Sequence, residues 1–336
     1  MKAIVKLSNE AGDVALIDKP EPVRANPGHV ILEVLAAGVC GTDLSIAKGL
    51  YKTFPNVTIG HELTGRVGIL GEGVDATWLG KRVVPETFFG TCGTCVFCRS
   101  GRENLCYDRK SIGTHVDGAF AGWLEIPAKN LHEVPETLSN EAGSMGEPVA
   151  CVVNSLFEID GHPRIGPGDK VLVVGPGPIG LIAAQVARAC GGEVTLQGAP
   201  GDAVRLALAG KLGFAVLTAG AGEFPVDCFD AAVECSGNRH GVADAFRSLR
   251  KGGRLMQMGL VGGEIPLAYD TICIKELTVT SGFAANHRSW LRAIPLMASG
   301  RIDLESLVTA TSPLDTWHEI LVEQRSRDGV KHIFKP

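Results

Sequence analysis

Lys170-Val171-Leu172-Val173-Val174-Gly175-Pro176-Gly177-Pro178-Ile179-Gly180 decides how this chain folds. The turn Gly166-Pro167-Gly168-Asp169 leads into a continuous apolar run of strand length, and the apolar segment 181–189 after it has helix length. Between them the glycines are spaced Gly-x-Gly-x-x-Gly. That spacing lets a backbone bend tightly and approach a pyrophosphate at a helix N-terminus. Further apolar strands at 194–196, 231–234, 254–258 and 277–280 alternate with helical segments, which predicts a doubly wound, mostly parallel sheet covered on both faces. This is an α/β domain built to bind a dinucleotide.

The chain before it has a different texture. Residues 2–7, 14–17 and 30–38 read as short strands broken by turns, and glycines at 60, 65, 68, 71, 73 and 80 suit tightly bent strands, so residues 1–150 form a β-rich lobe. A further strand pair is expected across 113–135. The run 140–157 places Glu147 in a Gly146-Glu147-Pro148 turn ahead of an apolar, helix-like stretch. The dinucleotide domain covers 151–285. Beyond it an amphipathic helix at 290–299 ends at Gly300, and the tail is too small to fold alone. Residues 286–336 are therefore expected to return to the first domain.

Two groups of metal-ligating residues stand in the β-rich part. Cys92, Cys95, Cys98 and Cys106, spaced Cys-x2-Cys-x2-Cys-x7-Cys within about 90–108, can close a tetrahedral shell around zinc with no position left for a substrate. That zinc is structural. Cys40 in Val39-Cys40-Gly41-Thr42-Asp43 and His61 in Ile59-Gly60-His61-Glu62 supply, with a glutamate, the ligands of an open site that can be catalytic.

At 336 residues, with 45% hydrophobic side chains and a formal charge of -5, the chain is long enough for two cores and has no basic surplus for nucleic acid. It has no apolar run of membrane-spanning length. The first residues alternate as a strand and do not read as a signal peptide. We expect a cytoplasmic protein whose ten cysteines serve as metal ligands and thiols, not disulfides.

With these residues in hand, the chain resembles the zinc-dependent medium-chain dehydrogenases, in particular the sorbitol (L-iditol) and threonine dehydrogenase branch. Gly60-His61-Glu62-x2-Gly65-x5-Gly71-x2-Val74 is similar to the family's zinc signature, the four-cysteine loop to its structural lobe, and Gly146-Glu147-Pro148 to its late acidic ligand region. Glu234-Cys235-Ser236-Gly237, Lys251-Gly252-Gly253-Arg254, Met258-Gly259-Leu260 and Lys275-Glu276-Leu277-Thr278-Val279 extend the likeness over the whole length. The resemblance implies a Rossmann domain plus a β-rich, GroES-like catalytic domain, with one catalytic and one structural zinc. It assigns Cys40, His61 and Glu62 to the catalytic metal, with Glu147 as a ligand or reached through bound water. Asp43 would orient His61, and Thr42 would be the inner hydroxyl of a proton relay. Gly175, Gly177, Pro178, Ile179, Gly180, Ser236, Met258, Gly259, Leu260, Gly282 and Phe283 would shape the cofactor cleft.

Two positions depart from the family pattern. Ser45 stands where many relatives carry the outer histidine of the relay. Gly198 replaces the acid that usually follows the second strand, so Asp202 could reach the ribose hydroxyls of NAD, or Gly198 and Arg205 could admit the 2′-phosphate of NADP. Trp123, Phe54, Phe120, Phe283 and Ser45 are candidate pocket residues. The implied reaction is reversible oxidation of a secondary alcohol of a polyol, sugar or cyclitol to a ketone, with hydride transfer to NAD(P), in a dimer or tetramer. A threonine-type amino-alcohol dehydrogenase is the alternative, and a non-catalytic zinc-stabilised dinucleotide sensor the more distant one.

Overall fold

The computed structural model describes residues 1–324 and 329–336, and the chain divides into two compact units. The first comprises Met1–Glu147, Trp290–Ala298 and Leu304–Pro336, and the second Pro148–Ser289 with Ser299–Asp303. The tail is thus more interleaved than a simple return. Ser299–Asp303 belongs to the second unit because Gln185 clamps Asp303, donating to its carbonyl at 3.1 Å and accepting from its N–H at 2.6 Å.

In the first unit, strands Leu131–Glu133, Arg82–Pro85, Glu62–Leu70, His29–Gly38, Lys331–Lys335 and Val308–Pro313 lie side by side in that order. Trp123–Pro127 also pairs with His29–Gly38, so it does not form the strand pair expected with Leu131–Glu133, which joins Arg82–Pro85 instead. The turn residues Ala128–Asn130 redirect the chain between two separate sheet partners. Leu32, Leu63, Val67, Phe120 and Phe334 fill the core beneath this sheet.

In the second unit six parallel strands run in the order Ala215–Thr218, Glu193–Gly198, Lys170–Val174, Phe229–Glu234, Leu249–Gln257 and Thr278–Ser281. Lys170–Val174 is central. Its last four residues are buried, which explains why it reads as an unbroken apolar run and not an alternating one. Ala215–Thr218 carried no sequence signal, because it is a short, half-exposed edge strand. Gly177 caps the helix Pro178–Ala189, with Pro178 at its start. Gly180 cannot carry a side chain, since a Cβ there would lie 1.8 Å from the Gly175 carbonyl oxygen.

Residues 146–148 do not form a turn. Glu147 sits in the first turn of the helix Gly146–Leu156, a position that favours acidic residues and where Pro148 is tolerated. Among the described residues no helix is long and apolar enough to cross a membrane.

Candidate functional site

Cys40 leaves the end of the His29–Gly38 strand and caps the helix Gly41–Ala47. Its own N–H donates to Asp43 Oδ2 at 2.9 Å, which locks the turn and fixes where the thiol points. His61 follows Gly60 and precedes the Glu62–Leu70 strand. Gly60 has a φ of 92°, and a Cβ on it would lie 2.5 Å from the Phe120 ring, so only glycine lets the chain deliver His61 here. Phe120 is fully buried and stacks edge-on with Phe334. It is therefore a wedge under the site and not a pocket wall, as its candidacy from sequence supposed.

Cys40 Sγ, a His61 ring nitrogen and a Glu62 carboxylate oxygen all lie within 4.8 Å of one another. Glu147 is not part of that cluster. Asp43, fully buried, places Oδ1 3.5 Å from His61 Nδ1, a loose contact on the side the resemblance implied. Burial opposes a charge on His61, but Asp43 and then Cys40 favour it, and its pKa rises well above the ordinary histidine value. A soft thiol, an imidazole and a carboxylate within ligating reach of one another are a donor set that fits a divalent zinc ion. Thr42 stands half-buried beside this cluster in sequence. Ser45 donates its hydroxyl proton to the Gly41 carbonyl at 3.1 Å, a helix back-bond that occupies it locally.

Sequence reading missed Lys331. Its ammonium is buried, pairs with Glu62 Oε2 and donates to the Val39 carbonyl at 2.9 Å. Nothing in Val330-Lys331-His332-Ile333 marks it, because strand position and not local pattern turns it inward.

The four-cysteine loop is assembled differently. Sγ separations of 3.9 Å for Cys92 and Cys98, 3.5 Å for Cys95 and Cys98 and 3.6 Å for Cys92 and Cys106 match the edge of about 3.8 Å expected for a tetrahedral shell with zinc–sulfur bonds near 2.3 Å. Backbone N–H groups of Cys95, Cys98 and Cys106's neighbour Cys92 point at the sulfurs. The N–H groups of Cys95 and Thr94 draw the Cys92 thiol down to about 6, whereas burial and the neighbouring Cys95 and Cys106 thiols push Cys98 up to about 12.

In the second unit a cavity of about 320 Å³ opens where strands Glu193–Gly198, Lys170–Val174 and Phe229–Glu234 end. This is where the strand order reverses, the usual dinucleotide position. Gly175, Gly198 and Ser236 line it as expected, and Gln197, Asn238, His240 and Asp244 line it without having been foreseen. Ser236 and Gly237 are held by Glu234 Oε1, which accepts from the Ser236 N–H at 2.8 Å and the Gly237 N–H at 3.1 Å. The backbone of Met258 and Gly259 donates to the Glu234 carbonyl at 2.8 and 2.9 Å. Asp202 Oδ2 accepts from the Ala199 N–H at 2.9 Å, and its Oδ1 lies 3.6 Å from Arg205. Gly282 packs its backbone against Ser155, while Leu260 and Phe283 are exposed within this unit. Phe54 is also half-exposed, its ring edge against His115, and Trp123 covers Gly68.

Comparison with known proteins agrees with both parts. Residues 26–136 match the alcohol dehydrogenase GroES-like domain, and residues 178–299 the zinc-binding dehydrogenase domain. The chain is 34% identical to a sorbitol dehydrogenase of Halalkalibacterium halodurans, covering 100% of this chain and 99% of that protein. It is 34% identical to a D-arabitol-phosphate dehydrogenase of Enterococcus avium, covering 95% and 93%. Among solved structures, a zinc-binding dehydrogenase of Sinorhizobium meliloti bound to NADP superposes with a TM-score of 0.88 at 29% identity, covering 100% and 99%. The thiol, imidazole and carboxylate cluster, the four-cysteine shell and the glycine-lined cavity are thus the parts of one family, and the chain belongs to the zinc-dependent medium-chain dehydrogenases, which are NAD(P)-dependent oxidoreductases of alcohols.

Proposed function

We propose that this protein oxidises a secondary alcohol of a polyol, a sugar alcohol or its phosphate to a ketone, reversibly and with NAD or NADP. The observation that carries the reading is the cluster of Cys40, His61 and Glu62 within 4.8 Å, in a chain 34% identical to two polyol dehydrogenases. In this reading Cys40, His61 and Glu62 hold the catalytic zinc, and Cys92, Cys95, Cys98 and Cys106 hold the structural one. Bound zinc supplies Lewis acidity to the alcohol oxygen, and bound nicotinamide accepts the hydride. Asp43 holds the imidazole of His61 in place. Thr42 Oγ1 receives the alcohol proton, and the back-bonded Ser45 leaves the path beyond it to solvent water. Glu147, outside the ligand cluster, serves the site through water. The Gly175–Gly180 turn and Ser236 cradle the dinucleotide, and Asp202 with Arg205 faces its adenosine ribose.

We place the protein in the cytoplasm, where its ten free thiols are stable. It works as a dimer or tetramer. The exposed edge strand Thr278–Ser281, paired on one side only, is the candidate contact, and sedimentation of the purified chain tests it.

The function is tested by assaying polyols, polyol phosphates, cyclitols and amino alcohols with NAD and with NADP, alongside zinc content. Turnover of a polyol or its phosphate by protein holding two zincs per chain is expected. Turnover of threonine alone would replace this reading with the amino-alcohol one. Full activity after removal of the non-cysteine zinc would overturn the catalytic assignment.

A further inference from the structure

Glu62 is 2% exposed and Lys331 1% exposed, yet one is an acid and the other a base, and they pair with each other. Burying such a pair is costly, and an apolar pair of similar volume usually serves a fold as well. The strand Lys331–Lys335 brings the lysine in beside His29–Gly38, whose Gly38 is also the register partner of Glu62. Space for the pair exists because residue 38 is glycine. A Cβ there would lie 2.5 Å from Glu62 Oε2 and 2.9 Å from Lys331 Cε. The ammonium spends one donor on the Val39 carbonyl, one residue before Cys40, and directs another at Glu62 Oε2.

Glu62 therefore faces two cation sites, the internal ammonium and the metal position beside Cys40 and His61. We propose that Lys331 is a positioning residue that competes with the metal for Glu62, holding one carboxylate oxygen so that Glu62 is a weak, exchangeable zinc ligand and leaves room for the substrate oxygen. This rests on the metal site proposed above. Two effects set its sign. The ammonium repels a divalent ion nearby, and it occupies an oxygen that would otherwise ligate. Removing the ammonium should therefore tighten the zinc, whereas loss of a merely structural support would loosen it.

The test uses full-length zinc-loaded protein and a chromogenic chelator that reports release of each zinc separately. Lys331→Met is expected to release the non-cysteine zinc at least tenfold more slowly than wild type, with release from the four-cysteine loop unchanged. Lys331→Arg, which keeps the charge, should release it within about threefold of wild type. In a Glu62→Gln background, Lys331→Met should slow release by less than about threefold, because the carboxylate being contested is gone. If Lys331→Met does not fold, Lys331→Gln keeps a donor for Glu62 and Val39 without the charge and carries the same expectation. Unchanged or faster release in these variants overturns the inference while the metal reading stands. A wild-type chain that binds only the zinc of the cysteine loop overturns both.

Discussion

The two groups of metal-ligating residues in the first unit differ in how they are assembled. Cys92, Cys95, Cys98 and Cys106 come from one short loop, and their sulfurs reach tetrahedral spacing with their own backbone N–H groups as the supporting donors. Cys40, His61 and Glu62 come from a helix cap and a strand start, with Asp43 behind one ligand and Lys331 on another. The loop is a closed, self-supporting shell. The second cluster is open, mixed in ligand type and held from several directions, and so it can change during a reaction. In the proposed reading, one group stabilises and the other works.

The sharpest way to break this comparison is to exchange the losses. Cys40→Ala should lower kcat by on the order of 10³-fold, the several kcal/mol that a Lewis acid supplies, while dinucleotide affinity and the melting temperature stay near wild type. Steady-state kinetics with dinucleotide titration checks it. Cys98→Ser should do the reverse. It should cost several kcal/mol of stability, read as a fall of roughly 10 °C in Tm, with kcat at low temperature within about tenfold of wild type. If Cys98→Ser silenced turnover in a still-folded protein, the division of labour would fail.

Smaller changes sharpen it. Gly38→Ala adds a methyl where Glu62 and Lys331 meet, and should cost about 1–3 kcal/mol in denaturant unfolding. It should also disturb binding of the non-cysteine zinc while leaving the cysteine loop intact. The smallest effect concerns His332, next to Lys331 on the same strand and 2.8 Å from Ser312 Oγ. Burial pushes its pKa below the ordinary value, so the folded state favours the neutral ring. Its contribution is present above the unfolded value of about 6.5 and is lost as pH falls below it, because the unfolded chain then binds more protons. Unfolding of His332→Gln should therefore be less acid-sensitive than wild type between pH 7 and pH 5, by less than about 1 kcal/mol.

Much of this was legible in the residues because the signals were local. The strand, turn and helix at 170–189, the four-cysteine spacing and the Gly60-His61-Glu62 motif are each contained in about twenty residues or fewer, within the range that backbone preference and spacing govern. Glu147 was misplaced in a turn because proline marks both turns and helix starts. Phe120 was offered as a pocket residue because sequence does not say which side of Gly60 its ring occupies. The strand pair expected at 113–135 failed because pairing partners are chosen by the sheet and not by adjacency along the chain.

By itself, then, the sequence determined the chemistry available: a dinucleotide turn, a four-thiolate shell, and a thiol, an imidazole and a carboxylate for an open metal site. Only the tertiary structure brings a Glu62 oxygen within 4.8 Å of Cys40 and His61 ligand atoms, and pairs that carboxylate with a lysine from the last strand. The physical reason is range. Turn chemistry and ligand spacing act within a few residues, whereas sheet register brings a buried ammonium to a carboxylate from the far end of the chain.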